Sequence, residues 1–128
     1  MTSTPASLAA GLPGDRRFTL ADRVRRRQDY QAVYEHGARL SGSLMTVFFR
    51  PNALGRPRLG IAATRKMGPA VVRNRAKRRV RDLFRRLKPA EACDIVVIPR
   101  RGLADAPFDK VEAEFCAILK RRLRMSRG

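Results

Sequence analysis

The sequence has no tryptophan, a single histidine and two cysteines, and its 11 acids face 29 lysines and arginines. Each scarcity closes a class of chemistry. His36 has no second histidine and no cysteine nearby, so a zinc site or catalytic triad of the usual kinds is not available. Cys93 and Cys116 form no CxxC pair, and each lies in an apolar pattern, beside Ile95, Val96 and Val97 or among Phe115, Ile118 and Leu119. They are expected as small buried thiols that stay reduced. The acids are scattered, with Asp82 reading as a helix charge and Asp94 as a strand-end residue. There is no nucleophile elbow, Walker loop or metal-ligand spacing, and Gly68-Pro69 is too short to cradle a phosphate. No catalytic residue emerges, and the chain alone is not expected to be a catalyst. An apolar run of about 18 residues is missing too, and residues 1–14 lack a basic n-region and a continuous apolar core. The expectation is a cytoplasmic protein with no membrane partner.

What the sequence has in excess is arginine, concentrated in residues 64–88. There Arg65, Lys66, Arg73, Arg75, Lys77, Arg78, Arg79, Arg81, Arg85, Arg86 and Lys88 face one acid, Asp82. On a helical wheel of about 100° per residue, Val72, Ala76, Val80, Leu83, Phe84 and Leu87 fall within about 120°. Nearly all the cations take the remaining surface, with Arg73 at the stripe's edge in the first turn. Gly68-Pro69 gives the helix a sharp start, and Pro89 ends it near Lys88. Solvated helix faces mix signs, because like charges at i,i+4 repel. Arg73/Lys77, Arg75/Arg79, Lys77/Arg81 and Arg81/Arg85 all break that rule. A polyanion partner removes the penalty, and guanidinium forks suit phosphate. A net charge of +18 with 44% hydrophobic residues describes a folded nucleic-acid-binding domain.

The length fits one domain. Residues 1–15 are small, polar and rich in Gly and Pro, and are read as a mobile lead-in; residues 16–124 form the domain, and 125–128 a flexible end. Residues 18–27 make an extended basic arm pinned by Leu20 and Val24. A helix over about 26–36 shows Tyr30, Val33 and Tyr34 as one stripe, with Gly37 as its stop and His36 near its last carbonyls. Strands are expected near 39–41, over 44–49 and over 58–64, the last with Leu59, Ile61 and Ala63 on one face. After the basic helix, residues 94–99 read as a strand covered on both faces. Arg100-Arg101-Gly102 makes a basic turn. A final helix over about 107–124 buries Val111, Phe115, Ile118, Leu119 and Leu123. The order is α-β-β-β-α-β-α, an α+β sandwich whose helices pack on a four-stranded sheet.

Tyr30 and Tyr34, with Phe48 or Phe49, are candidates for an aromatic groove on which single-stranded bases stack. Ordinary core packing is the competing reading for each ring. Phe48 and Phe49 point to opposite faces of their strand, so one is core and the other faces the groove, and the sequence does not say which.

Arg73-Asn74-Arg75 within residues 68–84, preceded by Arg58-Leu59-Gly60-Ile61, resembles the protein component of bacterial ribonuclease P. Arg23-Val24, Asp29-Tyr30, residues 34–37, residues 94–98 and Arg100-Arg101-Gly102 extend the similarity to about residues 18–123. The resemblance implies a small basic subunit that binds a large catalytic RNA and helps it remove the 5′ leader of precursor tRNA. It implies Mg²⁺ held mainly by the RNA, one protein per RNA or a dimer, and a left-handed β-α-β crossover within a mixed sheet, against the general rule. The residues it points to for the RNA subunit are Arg73, Asn74, Arg75, Lys77, Arg78, Arg79 and Arg81. For the leader they are Tyr30, Tyr34 and Phe48, with Arg65 and Lys66 at the rim. Pro69 stands where the family commonly has Asn, and Arg65-Lys66 where it usually has two lysines. A ribosomal or other structured-RNA-binding protein shares the charge and build, and is the alternative.

Overall fold

The computed structural model describes residues 23–87 and 92–127, with side chains to residue 124. The elements are α1 (Arg27–His36), β1 (Ala38–Ser41), β2 (Met45–Pro51), β3 (Arg58–Ile61), α2 (Ala70–Leu87), β4 (Cys93–Pro99) and α3 (Phe108–Arg127). Single 3-10 turns at Arg65–Met67 and Arg101–Ala104 introduce α2 and α3. The sheet order is β1-β2-β4-β3, antiparallel except for the β3/β4 pair. This is the expected α+β order with a mixed four-stranded sheet. The lead-in expected at residues 1–15 lies outside the described residues, as do Leu20 and Lys88.

Alternation along the strands assigns the two faces. Met45, Val47 and Phe49 of β2, Ile95 and Val97 of β4 and Leu59 of β3 join Ala76, Val80, Leu83 and Phe84 of α2 in the main core, with Val111, Phe115 and Ile118 of α3. The 3.6-residue stripe of α2 is therefore what the sheet buries. A fully buried Val80 or Leu83 contributes about 1.5–3 kcal/mol each. The opposite face carries α1, whose Val33 is fully buried, and Val96 beneath it. The helices thus divide between the two faces.

Long-range polar contacts fix this arrangement. The Glu114 carboxylate of α3 accepts hydrogen bonds from the backbone N–H groups of Ser43 (2.9 Å), Leu44 (2.8 Å) and Met45 (3.0 Å) and from the Ser43 hydroxyl (2.8 Å). One side chain thereby holds the β1–β2 turn and the start of β2. At the other end of the sheet, Arg58 donates two hydrogen bonds to Asp94, at 2.8 and 2.7 Å, and Asn52 donates a third at 2.8 Å. Asp94, the second residue of β4, is the strand-end residue that the sequence suggests, and at 2% exposed it is also a buried ion-pair partner.

Other expectations change as well. Residues 58–64 are not one strand. Ala62 N–H still donates to Val97 O at 3.0 Å, but the chain then turns off the sheet to bury Met67. Leu123 is 43% exposed, outside the stripe it was expected to extend. Arg121 reaches the Ser41 carbonyl and Arg122 lies over the Phe49 ring, so these two occupy the places over the sheet. Both cysteines are free, as expected, but only Cys93 is buried, while Cys116 is half-buried. Gly37 does end α1, although its φ of −88° is ordinary extended backbone. Its glycine requirement is steric, since a Cβ there would lie 2.5 Å from Val33 O and 2.8 Å from Phe49 O.

Candidate nucleic-acid interface

The register places Arg39, Phe48, Val96 and Gly60 side by side across the four strands, on the face that carries α1. One helical turn apart on α1, Tyr34 and Tyr30 stand over this row. Tyr34 meets Phe48 edge-to-face at 5.1 Å and 73°, and Tyr30 at 6.4 Å. A Cβ at Gly60 would lie 2.8 Å from the Tyr30 ring, so the missing side chain is what lets the ring onto the sheet. The sequence left Phe48 and Phe49 undivided. Phe49 is 2% exposed in the main core, and Phe48 is half-buried beside Tyr34.

The three rings differ in availability. Tyr30 accepts a hydrogen bond from Ile61 N–H at 3.2 Å and is half-buried; burial pushes its pKa up, more than that bond lowers it. Tyr34 is 39% exposed, and burial together with the nearby Tyr30 raises its pKa too. Both hydroxyls are neutral near pH 7. Thr46 and Ile98 continue the same face two residues beyond Phe48 and Val96, and Arg100 reaches the Thr46 hydroxyl at 3.5 Å. Sequence reasoning missed these three, although the alternation of β2 and β4 pointed to the first two. Arg65 and Lys66 are exposed on the turn that follows β3.

The cations of α2 fall on two flanks. On one, Arg75 pairs with Asp105 at 2.9 Å, and Arg79 donates to the carbonyls of Leu103 (3.3 Å) and Ala106. Arg86 pairs with Glu112 at 3.6 Å and lies over the Phe108 ring. Arg85 is held by Asp82 at 2.6 Å. On the other flank, Arg73, Lys77, Arg78 and Arg81 have no carboxylate within ion-pair distance among the described residues. Arg73 Nε is shielded from solvent and has no hydrogen-bond acceptor there. Burial, and then the charges of Arg23, Arg85 and Arg78, hold the Arg81 pKa below the usual arginine value. Asn74 is exposed between the two arginines of the motif.

A family model for ribonuclease P matches residues 18–123. The chain belongs to the ribonuclease P protein family. It is 42% identical over 97 residues to the ribonuclease P protein component of Thermotoga maritima, covering 74% of this chain and 82% of that relative. The protein component from Syntrophomonas wolfei is 36% identical over 101 residues, covering 77% and 85%. Among solved structures, the RNase P protein from Thermotoga maritima superposes with a TM-score of 0.70 at 40% identity, covering 77% of this chain and 96% of that one. The Staphylococcus aureus RNase P protein gives 0.72 at 30% identity, covering 79% and 94%. The chain is therefore a protein subunit of ribonuclease P, the ribonucleoprotein endoribonuclease of tRNA 5′ maturation, and its partner is that enzyme's RNA.

The described residues do not converge on a Mg²⁺ site. Among the described residues no three His, Cys, Asp or Glu converge, and the buried Asp94 is taken by Arg58 and Asn52. No helix among them is long and apolar enough to cross a membrane.

Proposed function

We propose that the subunit holds two RNAs at once, one on each side of its sheet. Arg73, Asn74, Arg75, Lys77, Arg78 and Arg81 contact the ribonuclease P RNA through its phosphates. Arg79, whose guanidinium already serves two carbonyls, takes the smallest share. Tyr34 and Phe48, backed by Tyr30, take the single-stranded 5′ leader of precursor tRNA by stacking and shape. Arg65 and Lys66 meet its phosphates at the rim. The observation that carries this reading is the pairing of an uncompensated cationic flank on one face with a half-open aromatic row on the other. Residues 16–124 act as a single domain, one copy per RNA, in the cytoplasm. The RNA holds the Mg²⁺ ions, and the protein supplies position and charge.

Phosphate contacts imply steep salt dependence. The test is cleavage of a leader-labelled precursor at low Mg²⁺ and moderate salt, with protein and RNA omitted in turn. Leader release should require the RNA and be strongly enhanced by the protein. Tyr34→Ala should weaken precursor binding by about 1–3 kcal/mol and leave mature tRNA unaffected. Equal losses for both tRNAs would remove the leader from the aromatic row.

A further inference from the structure

The two surfaces proposed above lie on opposite faces of the sheet, and one place in the fold touches both. It is the outer edge of β3. Edge strands offer unpaired backbone groups, and here these are closed from two directions. Val24 N–H of the arm donates to Leu59 O at 2.9 Å, and Ile61 N–H donates to the Tyr30 hydroxyl. A cavity of about 260 Å³ opens at this edge. Arg23, Val24 and Arg25 wall it on the arm side and Lys77 and Arg81 on the α2 side, with Tyr30, Leu59 and Ile61 as the floor. Four of its lining residues are cations and none is an acid.

Like charges gathered around a concave, partly dry site raise the energy of the empty protein. Arg25 is exposed, and Arg25, Lys77 and Arg81 have no carboxylate partner among the described residues. An anion in the cavity would relieve the repulsion and accept guanidinium and ammonium hydrogen bonds.

We propose that this cavity binds a phosphodiester of an RNA strand crossing the β3 edge, so that the surfaces on the two faces form one continuous track. The inference rests on the reading of α2 and the aromatic row as RNA surfaces, and adds to them Arg23 and Arg25 of the arm. The strand belongs either to the ribonuclease P RNA or to the precursor, and both present the same chemistry.

The experiment compares Arg25→Gln, Lys77→Gln, their double variant and the control Lys110→Gln, a solvent-exposed cation on α3. Binding is measured to the ribonuclease P RNA, and, in holoenzyme assembled at saturating protein, to precursors with a one-nucleotide or a long leader. Arg25→Gln should cost about tenfold in one of these affinities. It should lower the corresponding salt slope by about 0.7–0.9, while the control changes neither. The double variant should lose less than the product of the single losses, because both side chains meet one phosphate. A loss in assembly assigns the strand to the RNA subunit, and a loss confined to the long leader assigns it to the precursor. If Arg25→Gln matches the control, or the two losses simply multiply, the cavity is not a shared phosphate site. Should Arg73→Ala with Arg75→Ala still weaken assembly in that case, the reading of α2 stands and only the cavity proposal falls.

Discussion

The two flanks of α2 carry the same residue type in different employment. Toward α3 and the turn before it, Arg75, Arg79 and Arg86 end on acids or carbonyls of their own chain. Toward the arm, Arg73, Lys77, Arg78 and Arg81 have no carboxylate partner among the described residues, and Arg81 feels the positive charges of Arg23, Arg85 and Arg78. A paired cation contributes to folding, and an unpaired one subtracts from it unless a partner arrives. Arginine count alone therefore overstates the RNA surface; the supply of acids from neighbouring elements divides it.

Breaking the most deeply paired cation should have the largest effect. Arg58 is bound to buried Asp94 and lies 3.8 Å from Asp29 of α1, so it ties that helix to the sheet. Asp94→Ala leaves the guanidinium without its main partner and should cost about 3–5 kcal/mol of stability by denaturant titration. RNA affinity per folded molecule should not change. The pH dependence has a definite sign. Burial pushes the Asp94 pKa up, but the hydrogen bonds from Arg58 and Asn52 and the Arg58 charge outweigh it and hold the carboxyl below its ordinary value. The stabilisation is present in full above the unfolded pKa of about 3.9 and is lost as pH falls through the lower folded pKa. Asp94→Ala should flatten that acid limb and leave the slope above pH 5 unchanged.

Next in size is a comparison of the motif arginines with Arg79. Arg73→Ala with Arg75→Ala should weaken assembly with the RNA by about 10²-fold or more, two charge-assisted contacts being removed, with thermal stability almost unchanged. The exposed Arg75–Asp105 pair is worth at most about 1 kcal/mol. Arg79→Ala should do the reverse. It removes donors to two carbonyls and should lower stability by about 1–2 kcal/mol, with a smaller loss of RNA affinity than the double variant. Equal profiles for the two would mean that the carbonyl contacts of Arg79 do not set it apart from the motif arginines.

These divisions mark where the sequence was readable. The α2 stripe was legible because a 3.6-residue period encodes a face directly, and Val72, Ala76, Val80, Leu83, Phe84 and Leu87 all pack in or against the core. Alternation likewise separated Phe48 from Phe49, but which side received α1 depended on the whole topology. The Arg58–Asp94 pair spans 36 positions and arises from the parallel register of β3 on β4, which no local pattern announces. Glu114 is plainer still: its partners lie 69 to 71 positions away, and all but the Ser43 hydroxyl are backbone groups with no sequence signature. Arg79 looked like its neighbours because the carbonyls it serves belong to a turn that sequence periodicity cannot place. Helix faces are local information; partners are not.

The smallest expected effect is the most discriminating, because its sign is unusual. Arg81 is half-buried, and the nearest charges acting on it, those of Arg23, Arg85 and Arg78, are all positive. Arg81→Gln removes one charge from that group while keeping a polar side chain of similar reach. The free protein should gain up to about 0.5 kcal/mol in low salt, a gain that shrinks as salt screens the repulsion. RNA affinity should fall about tenfold in the same buffer. A residue that weakens the fold and strengthens the complex is placed for its partner. Thermal melts of the free protein at two salt concentrations decide the matter. A lower melting temperature in Arg81→Gln would make the residue a structural one and move it to the other flank of the comparison.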